Sequence, residues 1–161
     1  MNVLAIADTH VPDHARALPE ALREHLEWAD VILHAGDITS AATLAELETF
    51  AEVHAVCGNI DQWELRERLP DTLRIDLDGL AVAMIHDSGP REGRERRLRA
   101  RFPQARLIVF GHSHQPVNEV VEGVHFLNPG SPTWKRRAPT ATVARIVTGS
   151  GLAEVSLVDL G

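Results

Sequence analysis

Cysteine is almost missing from this chain: Cys57 is the only one. No intramolecular disulfide can form, and a cytoplasmic home is the default expectation. Long apolar runs are missing too. None approaches the length of a membrane span, so no membrane partner is expected. The opening Met1-Asn2-Val3-Leu4 has no basic region and no cleavage signature, so no signal peptide is expected. Positive charge is in deficit, with 16 Lys and Arg against 23 Asp and Glu and a formal net charge of −7. That argues against a broad electrostatic grip on nucleic acid or an anionic membrane. Nucleic acid stays an unfavoured partner, kept open by the Arg residues gathered between Arg91 and Arg106. Linkers, repeats and low-complexity tracts are absent. The 161 residues therefore read as one domain, 1–161, long enough for one sizeable core.

What is there is a repeated grammar of apolar runs that end on metal-ligand residue types. Leu107-Ile108-Val109-Phe110 drives into Gly111-His112-Ser113-His114. If the backbone stays extended there, His112 and His114 project to the same side and form a ready ligand pair. Val3 to Ala7 ends at Asp8, with His10 two residues on. Val31-Ile32-Leu33 runs through His34-Ala35-Gly36 to Asp37. Val53 to Cys57 runs through Gly58 to Asn59, and Leu80 to Ile85 ends at His86. The carboxyl edge of an open α/β sheet is where sites are built. Five such endings point to one shared site.

Between the runs lie helix signals. Leu18 to Trp28 repeats leucine at helical spacing, and Ser40 is placed to cap a helix over Ala41 to Phe50. Asp61 to Leu69 predicts a short helix closed by Pro70, and Arg91 to Arg101 another helix. Asp78-Gly79 joins Leu73–Leu77 to Leu80–Ile85 as a hairpin. After Gly111 the signal is strand: Pro116–Val121, Val124–Leu127, Ala141–Ile146 and Leu152–Val158. An alternating first part and a strand-rich second part predict an α/β protein of two packed sheets with helices outside.

Asp8-Thr9-His10, Gly36-Asp37, Gly58-Asn59-Ile60-Asp61, His86, Gly111-His112-Ser113-His114 and Asn128-Pro129-Gly130-Ser131-Pro132 stand in one order. In that order the chain resembles the calcineurin-like metallophosphoesterases, in particular the small YfcE-like bacterial and archaeal phosphodiesterases. The resemblance covers essentially the whole chain. It implies a four-layer α/β-β/α sandwich, two mixed sheets flanked by helices, with a dinuclear metal centre at the strand ends. By the same resemblance Asp8, His10 and His114 hold one metal, Asn59, His86 and His112 hold the other, and Asp37 bridges them. Asp37, Asn59 and His86 are then catalytic residues as well as ligands. Carboxylate, imidazole and amide oxygen suit Mn, Ni, Fe, Co or Zn, with Mn the first choice for the two divalent ions. The implied activity is metal-dependent phosphodiester hydrolysis of a small phosphoester by a hydroxide held between the ions. The alternative is a non-catalytic metal-binding scaffold on the same fold, since a eukaryotic retromer scaffold subunit resembles it while lacking parts of the ligand set. Such relatives are commonly dimers, so the resemblance admits a homodimer.

Two departures from the family pattern bear on chemistry. Relatives often carry a proton-bearing histidine where this chain has Ile60, which points to slow turnover or to leaving groups that need little protonation. His86 is followed by Asp87-Ser88-Gly89 where relatives have Gly then His, so Asp87 and Ser88 are expected to touch substrate at the pocket mouth. Arg136 and Arg137, in Trp134-Lys135-Arg136-Arg137, are expected to hold a substrate phosphate. Other residues take bland readings. His34 and His54 read as structural, Cys57 as a small core residue, and Asp61 as a helix cap rather than a partner of a ligand. His14, His25 and His125 have no partner pattern. The Arg91–Arg106 cluster reads as a solvated helix face, with Leu98 and Phe102 turned to the core.

Overall fold

The computed structural model describes residues 1–161. The chain runs β1 (Asn2–Ile6), α1 (Glu20–Trp28), β2 (Val31–His34), α2 (Ala41–Glu48), β3 (Glu52–Ala55), α3 (Trp63–Arg68) and β4 (Thr72–Leu77). It continues through β5 (Leu80–Ile85), α4 (Arg94–Arg101), β6 (Leu107–Val109), β7 (Val117–Val121), β8 (Val124–Asn128), β9 (Thr142–Gly149) and β10 (Leu152–Asp159). The strands form two mixed five-stranded sheets, ordered β10-β9-β1-β2-β3 and β4-β5-β6-β8-β7. β1, β2 and β3 are parallel, as are β5, β6 and β8; the remaining pairings are antiparallel. β1 lies at the centre of its sheet, with Asn2 opposite Val147 of β9 and Val3 opposite Val31 of β2.

Strand alternation builds the layers. Val3, Ala5 and Ala7 point inward with Val31, Leu33, Val82, Met84, Leu107 and Val109 into the core between the sheets. Leu4, Ile6 and Ile32 point outward against Leu22 and Leu26 of α1 and Leu47 of α2. Ala83, Ile108 and Phe126 point outward on the other sheet, against Leu98 of α4 and Phe102. Strands buried on both faces need apolar residues at every position, which is why these runs lack a polar alternation. The result is an α/β-β/α sandwich. No helix is long and apolar enough to cross a membrane.

Local chemistry sets the ends. Ser40 Oγ accepts the Thr43 N–H at 3.2 Å and caps α2 as its position predicts. Asp78 (φ 60°) and Gly79 (φ 80°) both take the left-handed conformation of a two-residue hairpin turn. The helix expected from Arg91 starts later, at Arg94, because Gly93 enters it left-handed at φ 70°. Arg97 donates to the carbonyls of Ser88, Pro90 and Glu92, so residues 88–93 form a pinned loop instead of a first turn.

Candidate metal centre

Five strands point their carboxyl ends at one place. The loops that leave them are stitched side by side: Asp8 N–H donates to Gly36 O (3.0 Å), His10 N–H to Asp37 O (3.1 Å), and Gly111 N–H to His86 O (3.0 Å). Two groups able to hold a metal ion result. Asp8, His10 and His114 form the first; Asp37, His86 and His112 form the second; ligand atoms lie within 4.8 Å of one another in each. Asn59 joins the second, its Oδ1 being 2.9 Å from His86 Nε2 and 3.0 Å from His112 Nδ1. Asp37 lies between the groups, with Oδ2 3.3 Å from His86 Nε2 and 3.6 Å from His10 Nε2.

The backbone that achieves this is not extended. Asp8 (φ 54°), His10 (46°), Asp37 (58°), Thr39 (88°), His112 (67°) and His114 (58°) all sit in the left-handed region. The expectation that His112 and His114 form one pair on one side of a strand is therefore corrected. β6 ends at Val109, and the reversed dihedrals send the two rings to different groups. Non-glycine residues in this region carry strain of about 1–3 kcal/mol each, which surrounding structure has to hold. Glycines let the loops close up. A Cβ on Gly36, itself at φ 91°, would stand 2.6 Å from His86 Nδ1, and one on Gly58 would stand 2.1 Å from Asp37 N and Oδ1.

Asp61 does much of the holding. Its Oδ1 accepts the Thr39 N–H (2.7 Å) and its Oδ2 the Gly58 N–H (2.6 Å), and the residue is buried. The cap reading is thus corrected: α3 starts at Trp63, with Gln62 at its N-cap and no side-chain cap. Asp61 ties the loop of Asp37 to the loop of Asn59. Arg66 adds Nε to Asp61 O at 2.7 Å and Nη2 to Asn59 O.

Burial sets the protonation of the first group. It drives the His10 and His114 imidazoles down to about 4, so both are neutral near pH 7 and offer lone pairs. Their Nε2 atoms stand 3.1 Å apart. His114 Nδ1 donates to the Trp134 carbonyl, which leaves its Nε2 as the ligand atom. Burial lifts Asp8 to about 7, with Asp37 adding to the rise and His86 opposing it. In Asp37 burial also raises, but the hydrogen bond and charge of His86 outweigh it and its pKa is lowered. His86 donates Nδ1–H to Ala35 O at 2.7 Å, which turns Nε2 to Asn59 and Asp37. Two carboxylates, four imidazoles and an amide oxygen converge, with Nδ1 of His86 and of His114 already engaged. That donor set fits a pair of divalent cations.

Around the rim, Asp87 is exposed, with Oδ2 4.0 Å from His112 Nε2. Ser88 is buried, and its carbonyl is held by Arg97 at 3.1 Å. Arg136 reaches the centre: Nη1 donates to His112 O at 3.2 Å, and the guanidinium lies 4.4 Å over the Trp134 ring. Arg137 is exposed. Ile60 lies 38% exposed with its N–H on Asp37 Oδ1 at 3.0 Å. His34 stays outside both groups, fully buried with Nε2 3.1 Å from Thr9 Oγ1. Cys57 is half-buried rather than core. His14 is the residue the sequence hides. Its N–H donates to His10 O (2.8 Å), closing a turn across Pro12 that stacks its ring on Trp134 at 3.5 Å between centroids. The four-residue spacing from His10 is the signal, and Pro12 between the two histidines conceals it.

Comparison with known proteins gives the same picture. The model of the calcineurin-like phosphoesterase superfamily domain matches residues 1–151. A probable metallophosphoesterase of Methanothermobacter thermautotrophicus is 38% identical over 91% of this chain and 86% of its own. Phosphodiesterase MJ0936 of Methanocaldococcus jannaschii is 26% identical over 81% of this chain and 83% of its own. The crystal structure of wild-type Vps29 from Entamoeba histolytica complexed with Zn²⁺ superimposes with a TM-score of 0.79 at 25% identity, covering 100% of both chains.

Proposed function

The chain belongs to the calcineurin-like phosphoesterase superfamily, and on that premise we propose that it is a dinuclear metal-dependent phosphodiesterase. The observation that carries this reading is the pair of ligand groups with the Asp37 carboxylate between them. Asp8, His10 and His114 hold the first ion, Asn59, His86 and His112 the second, and Asp37 both. Two ions so placed supply Lewis acidity toward the phosphoryl group and a nucleophile drawn from water. Asn59 is exposed beside the second group, so its amide also orients a phosphoryl oxygen. Arg136, anchored to His112 O, offers its remaining N–H groups to the substrate phosphate, and the exposed Arg137 is the second candidate for the same role. Asp87 stands at the mouth on the His112 side and is the candidate substrate contact there, with the buried Ser88 supporting it. Ile60 brings no proton to the leaving group, which favours diesters of acidic alcohols. Manganese is the first choice of metal, and the lone half-buried thiol is in keeping with a cytoplasmic enzyme.

A second reading, a metal-binding scaffold without catalysis, is favoured by one observation, the fit to Vps29 along the whole chain. One experiment separates the two. Protein stripped of metal is given Mn²⁺ and assayed on an aryl phosphodiester and the matching monoester, with Asp37→Ala alongside. The enzyme reading expects metal-restored diester hydrolysis above monoester and background rates in the variant. Arg136→Ala and Arg137→Ala should raise KM for a phosphate-bearing substrate, and Asp87→Gly should change the preference among diesters. Folded protein inactive with Mn²⁺, Ni²⁺, Co²⁺ and Zn²⁺ would favour the scaffold.

A further inference from the structure

The segment Ser131–Arg136 lies across the two loops that carry the first ligand group. Ser131 Oγ donates to Asp8 O at 2.7 Å, and Thr133 Oγ1 to Thr9 O at 2.7 Å. The same Ser131 Oγ accepts the Trp134 N–H at 2.9 Å, which fixes where the indole stands. From there Trp134 meets both imidazoles of the group edge to face, with centroids 5.3 Å from His10 and 5.1 Å from His114, and its carbonyl takes the His114 Nδ1–H. His14 stacks on the indole at 3.5 Å and 22°, and also meets His10 edge-on at 5.4 Å. Arg136 lies over the same ring and is tied to His112 O. Two ligand loops from different sheets thus share one aromatic wall.

Asp8, His10 and His114 are 0%, 2% and 0% exposed. In the second group Asp37 and His86 are buried as well, while Asn59 is open and the His112 side chain is 43% exposed. The wall stands against the first group, and the centre reaches solvent through Asn59 and His112.

We propose that Trp134, backed by the stacked His14, is a positioning residue for the first metal: it fixes the ring planes of His10 and His114 and keeps water from them. This rests on the dinuclear reading. It concerns how the ligands are held, not which residues ligate. Outer partners of metal ligands typically change affinity about 10–100-fold when removed. An aromatic ring in edge-to-face contact sets ring orientation in a way that a smaller side chain cannot.

The test is a Co²⁺ titration of metal-free protein, followed by calorimetry and by the visible absorption of the bound ion. Wild type should take up two equivalents. Trp134→Ala should weaken one equivalent by about 10–100-fold, shift its absorption band and leave the other equivalent unchanged. Trp134→Phe, which keeps an aromatic wall, should restore most of that affinity and the wild-type band. His14→Ala, which removes the stack and its edge contact with His10 but keeps every ligand, should weaken the same equivalent by a smaller factor. A merely structural role would lower thermal stability without moving the absorption of one site. Two equivalents with wild-type affinity and spectrum in Trp134→Ala would overturn the proposal while leaving the dinuclear reading intact. Should Trp134→Ala fail to fold, an unchanged spectrum in His14→Ala overturns it. Wild type that takes up no Co²⁺ removes the dinuclear reading itself, and this role with it.

Discussion

His34 is a basic side chain kept neutral by its surroundings. It is fully buried, one ring nitrogen meets Thr9 Oγ1, and Nδ1 has no partner. Burial drives its pKa from 6.5 to about 3. The unfolded chain takes a proton on this imidazole below 6.5, and the folded chain only near 3, so acid favours unfolding throughout that window. The stability it contributes is complete above 6.5 and falls by about 1.4 kcal/mol per pH unit below it. His10 and His114 act in the same direction, whereas Asp8, lifted to about 7, acts in the opposite one. A His34→Leu variant isolates the His34 share. Urea unfolding of metal-free protein between pH 7.5 and 5.0 should show a smaller slope in the variant, the difference approaching one proton at pH 5.0; equal slopes would refute the assignment. Residue types were the most legible part of the site. Asp8, Asp37, Asn59, His86, His112 and His114 each stand just beyond an apolar run, and the structure brings all of them together. The left-handed dihedrals of Asp8, Asp37, His112 and His114 were not legible, because aspartate and histidine adopt either sign of φ and only the neighbouring loops decide. That is why His112 and His114, taken as extended backbone, read as one pair.

At the scale of elements, the loops after the strands matter more than the strands. β2 and β3 are parallel neighbours, and the loops they feed are locked by the two oxygens of Asp61 on Thr39 N–H and Gly58 N–H. Asp61→Asn keeps the shape but turns one acceptor into a donor facing an N–H. A buried donor left unsatisfied costs about 1–3 kcal/mol. We expect that loss in urea unfolding, together with Mn²⁺ affinity at the second group lowered by about 10–100-fold. Unchanged Mn²⁺ titration would mean that the loops keep their spacing without Asp61. The strands and helices themselves were readable, since runs buried on both faces and the Asp78-Gly79 turn carry strong local signals. The start of α4 was not: Arg97 holds three carbonyls of the preceding loop, a contact formed only once the loop has folded back.

Over the whole molecule, the centre joins the two sheets. Asp8, His10, Asp37 and Asn59 leave strands of the first sheet, and His86, His112 and His114 leave strands of the second. Ions bound there would bridge two halves that otherwise meet through the apolar core. A ligand that binds only the folded state stabilises it by about 2.7 kcal/mol at a hundred times its Kd. Calorimetric melting with saturating Mn²⁺ should therefore show a single transition at higher Tm than in chelator, and Asp37→Ala should lose most of the difference. A Tm indifferent to metal would argue against ions spanning the sheets.

The place of β1 has a further consequence, for the order in which the molecule can be made. β1 pairs on one side with β2, which follows soon after it, and on the other with β9, so that Asn2 meets Val147. At synthesis rates of about 5–20 residues per second, that second neighbour arrives on the order of ten seconds later. Until then the strand that delivers Asp8 and His10 has one bare edge on the ribosome. The same interval passes before Trp134 exists to stand against His10 and His114. The nascent chain must carry an unfinished sheet and an open ligand cluster through most of its own translation.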